Sequence, residues 1–217
     1  YAVRYVPAGQ GGPAANFADG DIPLPVPGVH NALNAAAVRA TLELLGVPPA
    51  PARAATACFS GVHRRFEIHG RTARGALVVD DYAHNVEKLV AALALALEMV
   101  PGRRFAIFQP HGFGPLAFMR EALLPALETA LSPADVFIFL PVFYAGGTAS
   151  FSPTSAEVAA EYRRLGRRNY CAVPDRTVAA AMLADAGPDD LVLVLGARDN
   201  SLATWADSLT CHSPAPD

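Results

Sequence analysis

Lysine is nearly missing: of the 17 Lys and Arg residues only Lys88 is a lysine. A phosphate loop of the Gly-x-x-x-x-Gly-Lys-Ser/Thr kind needs glycine before its lysine, and Lys88 follows Glu87, so these residues hold no such loop. If ATP is used, its phosphate cradle lies elsewhere. An excess of positive charge is missing too. The net charge of -3 lacks the electrostatic footprint of a nucleic-acid binder. Cysteine is sparse: Cys58, Cys171 and Cys211 are odd in number and far apart, with no Cys-x-x-Cys pair and no histidine at metal spacing. They are expected to be free thiols of a reducing cytosol, and no metal site is expected among these residues. No apolar run approaches the ~20 residues of a membrane span, and no signal peptide is expected. The expectation is a cytoplasmic protein without membrane contact. The chain opens on Tyr1 rather than Met, which suggests a piece of a longer polypeptide.

What is present is organised around residues 77–111. Leu77-Val78-Val79 reads as a buried strand that runs into Asp80 and Asp81 and then Tyr82-Ala83-His84. From Val86, the residues Leu89, Val90, Leu93, Leu97 and Val100 recur at three and four residue spacing, the signature of a helix with one core-facing stripe. Pro101-Gly102 stops it, and Phe105 to Phe108 forms a second apolar strand that finishes in Gln109 and His111. A strand, a helix and a strand make a βαβ unit with parallel strands, and ligands of such sheets sit beyond the strands' carboxyl ends. Asp80, Asp81, His84, Gln109 and His111 all fall there.

The rest of the chain continues the alternation. Helices are predicted over 30–45, 50–60, 116–131, 155–165, 177–184 and 201–209, and strands over 65–69, 136–140, 170–173 and 191–195. Residues 1–27 read as loop and sheet edge, with only Tyr1 to Val6 alternating like a strand. Regular βα alternation predicts an α/β fold, a Rossmann-like doubly wound and mainly parallel sheet. A boundary near Gly61 divides the chain into residues 1–61 and 62–217.

Several constellations carry chemistry, each with a plainer reading. Adjacent side chains on a strand point to opposite faces, so one of Asp80 and Asp81 can bind ligand while the other braces the loop. The plainer reading makes Asp81 a helix cap and Asp80 a surface acid. Gly112-Phe113-Gly114-Pro115-Leu116-Ala117 fits the dinucleotide pattern Gly-x-Gly-x-x-Ala, with Glu128 or Asp135 to meet a ribose, although Pro110 and His111 interrupt the usual tight turn. His30-Asn31-x-x-Asn34 places two amides on one helix face, suited to an adenine edge or to plain capping. Arg64-Arg65 suits a phosphate, or is an exposed charged pair.

Four stretches taken in order resemble the Mur ligases, in particular the branch that adds L-alanine or a murein tripeptide. They are Val26-Pro27-Gly28-Val29-His30-Asn31-Ala32-Leu33-Asn34-Ala35, Gly61-Val62-His63-Arg64-Arg65-Phe66-Glu67, Asp80-Asp81-Tyr82-Ala83-His84 and Phe108-Gln109-Pro110-His111. Leu191 to Asp199 is a weaker fifth. The resemblance implies an ATP-dependent ligase of three domains that joins an amino acid or peptide to a UDP-muramoyl carboxylate through an acyl phosphate, with Mg²⁺. Residues 1–61 would be the tail of the central ATPase domain and 62–217 the carboxy-terminal Rossmann-like domain. The UDP-sugar domain, the P-loop and the metal ligands would lie in an amino-terminal part, without which this piece would not hydrolyse ATP.

Carried over by position, the resemblance makes Asn31 and Asn34, with His30 beside them, the adenine-side residues. Arg65 and Asp81 would close on the nucleotide, while His84 and His111 would position the incoming amine or relay its proton. Thus Arg65, Asp81, His84 and His111 are the candidate catalytic residues. The sequence departs from that branch of the family at two places. Asn85-Val86 stand where His-Pro usually follows, and Gly112, Phe113, Gly114 and Pro115 stand where arginines usually hold the amino acid's carboxylate. A different acceptor or a different clamp, Arg120 or Arg198, is the expectation. A dinucleotide-binding domain using the loop at Gly112, or a non-catalytic relative, are the other readings.

Overall fold

The computed structural model describes residues 2–7, 13–144, 146–147 and 150–211, and the chain divides into two compact units, Tyr1–His63 and Arg64–Asp217. The first unit is built on small residues. Strands β1 (Arg4–Val6), β2 (Ala14–Phe17) and β3 (Gly20–Pro23) form an antiparallel sheet in that order. Helix α1 (Val29–Leu44) buries Ala32, Ala35 and Ala36 against Ala15, Phe17 and Ile22, and α2 (Pro49–Ala57) follows. Arg39, facing the same way, is buried with its guanidinium over the Phe17 ring and forked onto Asp19, whose carboxyl it holds below the usual range.

Strands β2 and β3 correct the reading of this stretch as loop. Their few residues include Ala, Asn and Asp, which give almost no alternating signal, while the two-residue Ala18-Asp19 turn closes the hairpin and Gly20, at φ +113°, opens β3 opposite Phe17.

In the second unit the elements run β4 (Glu67–Arg71), β5 (Leu77–Asp81), α3 (Val86–Met99), β6 (Arg104–Gln109), α4 (Phe113–Ala130) and β7 (Val136–Phe139). There follow α5 (Ser155–Arg164), β8 (Tyr170–Ala172), α6 (Arg176–Ala181), β9 (Leu191–Gly196) and α7 (Ser201–Ser208). The six strands lie in the order β4-β5-β9-β6-β7-β8, with β4 antiparallel at the edge and the others parallel. Strands β5 and β6 are therefore parallel but not neighbours. The all-buried Leu191-Val192-Leu193-Val194-Leu195 run lies between them, as an apolar strand covered on both faces should.

The pleat separates two cores. Val78, Phe105, Ile107, Ile138, Val192 and Val194 pack with Ala179 of α6, Leu183 just beyond it, and Leu202 and Ala206 of α7. The alternate residues Phe108, Phe137 and Phe139 pack their rings together, and Phe139 reaches Tyr162 of α5. The chain steps one way from β5 to β8 and then returns to insert β9. A constant crossover hand puts α3, α4 and α5 on one face and the returning α6 on the other. Beyond the carboxyl ends of β5, β9 and β6 the outgoing loops consequently lead to opposite faces, which is where sheets of this topology bind ligands.

Several predicted details are corrected. Leu97 is 61% exposed, because Leu89, Ala92, Leu93 and Ala96 form the buried stripe of α3 and Leu97 lies a further 100° around. Strand β4 begins at Glu67 rather than Arg65, since Arg64 and Phe66 take left-handed φ of +57° and +51° that no strand tolerates. Helix α4 begins at Phe113, so Gly114 and Pro115 are its first turn rather than a loop. No helix among the described residues is long and apolar enough to cross a membrane.

Candidate functional site

Two adjacent acids end β5, and both are committed to structure. Asp80 is fully buried and forks onto the Arg64 guanidinium, at 2.8 Å to Nε and 3.3 Å to Nη2. Asp81 accepts the Phe66 N–H and the Ala83 N–H, each at 2.7 Å. This overturns the reading of Asp80 as a surface acid and Asp81 as a helix cap. Asn85 caps α3 instead, its carbonyl taking the Lys88 N–H at 3.0 Å. Burial pushes the Asp81 carboxyl above its usual value, opposed by those two backbone donors and by the charge of Arg65.

Arg64 and Arg65 divide their work. Arg64 is 3% exposed, so the expected exposed pair is really one buried and one free guanidinium. Besides Asp80, Arg64 donates to the Gly196 carbonyl at 2.8 Å and the Asp199 carbonyl at 3.0 Å, and its carbonyl receives the Tyr82 N–H. Phe66, two residues on, is 2% exposed. Arg65 thus stands on a hook whose neighbours are both anchored, and its own side chain is exposed beside Asp81.

The two predicted histidines meet. His84 Nδ1 lies 2.8 Å from the Tyr82 carbonyl, a contact that requires Nδ1 to carry the proton and leaves Nε2 as the acceptor of the neutral ring. Its ring stands edge-on to His111, with centroids 5.0 Å apart. His111 is held below the usual histidine range by burial, then by His84 and Arg198, and its Nδ1 is buried without a partner. Of the two candidate replacement clamps, Arg198 is the one whose charge reaches His111. Its N–H donates to the Tyr82 hydroxyl at 3.2 Å, and it is exposed at φ +69°. Arg120 lies about two turns down α4, roughly 10 Å from its start.

Around the start of α4 the polar groups give way to rings. Phe113, Tyr144 and Phe151 form a mutual triangle with centroids 5.2–6.2 Å apart, and the loop after β7 is tied to the crest by Phe143 N–H donating to Pro110. The dinucleotide reading loses its ribose partner. Asp135 is buried against Arg104 and Glu128 pairs with Arg167, both near the amino ends of the strands. Sequence reasoning named Arg64 only beside Arg65 and Asp199 only as the end of the fifth stretch, gave neither its structural part, and missed Arg176. Arg176 donates to Asp199 Oδ2 at 2.6 Å and to Gln109 Oε1 at 3.4 Å.

In the first unit, Gly28, at φ +113°, precedes α1 and no side chain caps that helix. Asn31 Nδ2 donates to the Pro27 carbonyl at 2.8 Å and the Val26 carbonyl at 3.4 Å, bracing the entering loop, while His30 and Asn34 are exposed. So the amides line the first turn rather than cap it.

The donor set of the second unit suits an anion better than a cation. Glu67, His69 and Asp80 bring ligand atoms within 4.8 Å of one another, yet Glu67 accepts the Arg64 N–H and Asp80 pairs with the Arg64 guanidinium. A metal there would meet a cation already in place.

Residues 64–198 match the family model described as Mur ligase, glutamate ligase domain. The UDP-N-acetylmuramate--L-alanine ligase of Anaeromyxobacter sp. (strain Fw109-5) is 39% identical over 176 residues, 81% of this chain and 37% of that protein. Among solved structures, UDP-N-acetylmuramate-alanine ligase MurC from Thermotoga maritima superposes with a TM-score of 0.66 at 25% identity, over 91% of this chain and 41% of that one. MurF from Acinetobacter baumannii gives 0.69 at 20% identity over 95% and 44%, a likeness of fold. The chain spans about two fifths of the length of the curated relatives it matches.

Proposed function

The chain belongs to the Mur ligase family, and from that premise we propose that it is the carboxy-terminal part of an ATP-dependent ligase that joins an amino acid or peptide to a UDP-N-acetylmuramoyl carboxylate. The observation that carries this reading is the hook at Arg64–Phe66, which holds one free guanidinium beside a strand-end acid, at the same sheet edge as two facing histidines. Residues 1–61 are then the tail of the central ATPase domain and 62–217 the carboxy-terminal domain.

Each candidate residue takes a role its geometry permits. Arg65 offers planar N–H donors to a phosphoryl group in transfer, where charge grows on the oxygens. Asp81 keeps the hook and the His84 loop in register, and its carboxylate edge suits a ribose hydroxyl. His30, Asn31 and Asn34 serve the adenine side. ATP supplies the phosphoryl group that activates the muramoyl carboxylate as an acyl phosphate. Mg²⁺ would be held outside residues 62–217, because the acids at this strand end are already engaged. His111, kept neutral by its surroundings, accepts the proton shed by the incoming amine, and His84 orients it. A cytoplasmic location follows from where UDP-muramoyl substrates and ATP are found together.

The test is phosphate release by the full-length protein with ATP, Mg²⁺ and UDP-N-acetylmuramate or its peptides, across a panel of amino acids and short peptides. Release stimulated by at least one amine is expected, and no stimulation by any member of the panel rejects the reading.

A further inference from the structure

We propose that Arg64 is a positioning residue of this ligase: it sets the hook that presents Arg65 and ties that hook to the strand tip bearing His111. The inference rests on the ligase reading above and concerns how its parts are held. Left-handed φ is costly for residues with a Cβ, and among the described residues only Arg64, Phe66 and Arg198 adopt it outside glycine. Two of these flank Arg65, and the third lies where the Arg64 side chain ends. Such a backbone persists only if its surroundings over-determine it.

Arg64 does so with one planar group. Its Nε and Nη2 grip Asp80 at the end of β5, Nη2 also reaches the Gly196 carbonyl at the end of β9, and Nη1 reaches the Asp199 carbonyl in the turn beyond. Its Cζ lies over the Tyr82 ring, 5.2 Å from the ring centre. The chain of contacts continues from there. Asp199 accepts from Arg176, and Arg176 donates to Gln109, the last residue of β6 and two before His111. Gly196 is part of the same fit, because a Cβ there would meet the Gln109 carbonyl at 2.9 Å. A lysine in place of Arg64 keeps the charge against Asp80 but has no fork to reach the two carbonyls as well. Only the backbone bonds then hold the hook: Tyr82 N–H to the residue 64 carbonyl, the residue 64 N–H to Glu67, and Phe66 N–H to Asp81.

The experiment measures kcat and KM for ATP and for the amine in the full-length ligase carrying Arg64→Lys, Arg65→Ala, or both, with thermal melting to confirm folding. Arg64→Lys is expected to lower kcat on the order of ten- to a hundredfold, the cost of misplacing a catalytic group by about 1 Å, with both KM values within about threefold. In the Arg65→Ala background it should cost nothing further. A wild-type kcat in a folded Arg64→Lys protein, or losses that multiply in the double variant, would show a merely structural pin and overturn the inference alone. A wild-type kcat for Arg65→Ala would overturn the role given to Arg65 and this inference with it. Should Arg64→Lys melt below the assay temperature, Arg176→Gln, a partly exposed member of the same chain of contacts, is expected to lower kcat severalfold without raising KM, and an unchanged kcat there counts against the proposal.

Discussion

The hook before β4 and the crest after β6 share one edge of one sheet and are built on opposite plans. At the hook the polar groups that flank Arg65 are engaged: Arg64 has four contacts, Asp80 is sealed from solvent, and Asp81 takes two backbone donors. At the crest His111 keeps a nitrogen without a partner, Tyr144 and Phe151 are 45% and 59% exposed, and the rings chiefly touch one another. Charge-assisted hydrogen bonds are directional and hold a group to fractions of an ångström, whereas ring contacts tolerate sliding. The difference teaches that the Arg65 guanidinium is placed by a polar lattice, while the ring cluster stays able to adapt; under the proposed ligase reading the first would meet the phosphoryl group and the second the acceptor.

Asp80→Ala attacks that contrast hardest. It leaves Arg64 as a buried cation without its counter-charge, and the expected loss is about 3–5 kcal/mol of stability, read from the urea midpoint. A loss under about 1 kcal/mol would mean that the hook is not held as described. Phe113→Ala tests the other side. It removes two ring contacts from a half-open cluster, for about 0.5–1.5 kcal/mol, while the amine KM moves more than the ATP KM. Equal movement of both KM values would place the ring cluster away from the acceptor.

The smallest expected effect is a pH dependence. His111 is depressed below its ordinary value of 6.5, so the unfolded chain binds a proton that the folded chain refuses, and stability falls as pH drops through about 6.5. His111→Gln should flatten that slope in urea titrations between about pH 5 and pH 8. Asp81 acts with the opposite sign. Its raised carboxyl contributes stability that is complete below the ordinary value of 3.8 and is lost as pH rises through the raised one. Removing the neighbouring His84 ring, by His84→Ala, should also raise the His111 value and move the acid limb of kcat to higher pH.

Much of the architecture was readable in advance, since the long strand and helix periods of 77–109 and the apolar run at 191–195 depend on local spacing alone. The hairpin of β2 and β3 was not, because Ala14-Ala15-Asn16-Phe17 has little β signal and its strand character comes from Ala32, Ala35 and Ala36 packing over it. Leu97 misled for the converse reason. A leucine one position outside a buried stripe looks the same in the sequence as one inside it.

By itself the sequence determined the order of strands and helices in the second unit, the placing of Asp80, Asp81, His84 and His111 at or just beyond strand ends, and the absence of a lysine-bearing phosphate loop from these residues. Only the tertiary structure decided which member of each adjacent pair turned inward, Arg64 rather than Arg65 and Asp80 more than Asp81. The reason is that two left-handed residues rotate the chain between them, and a rotation of φ is invisible to spacing. It is settled by what the buried side chain finds when it arrives.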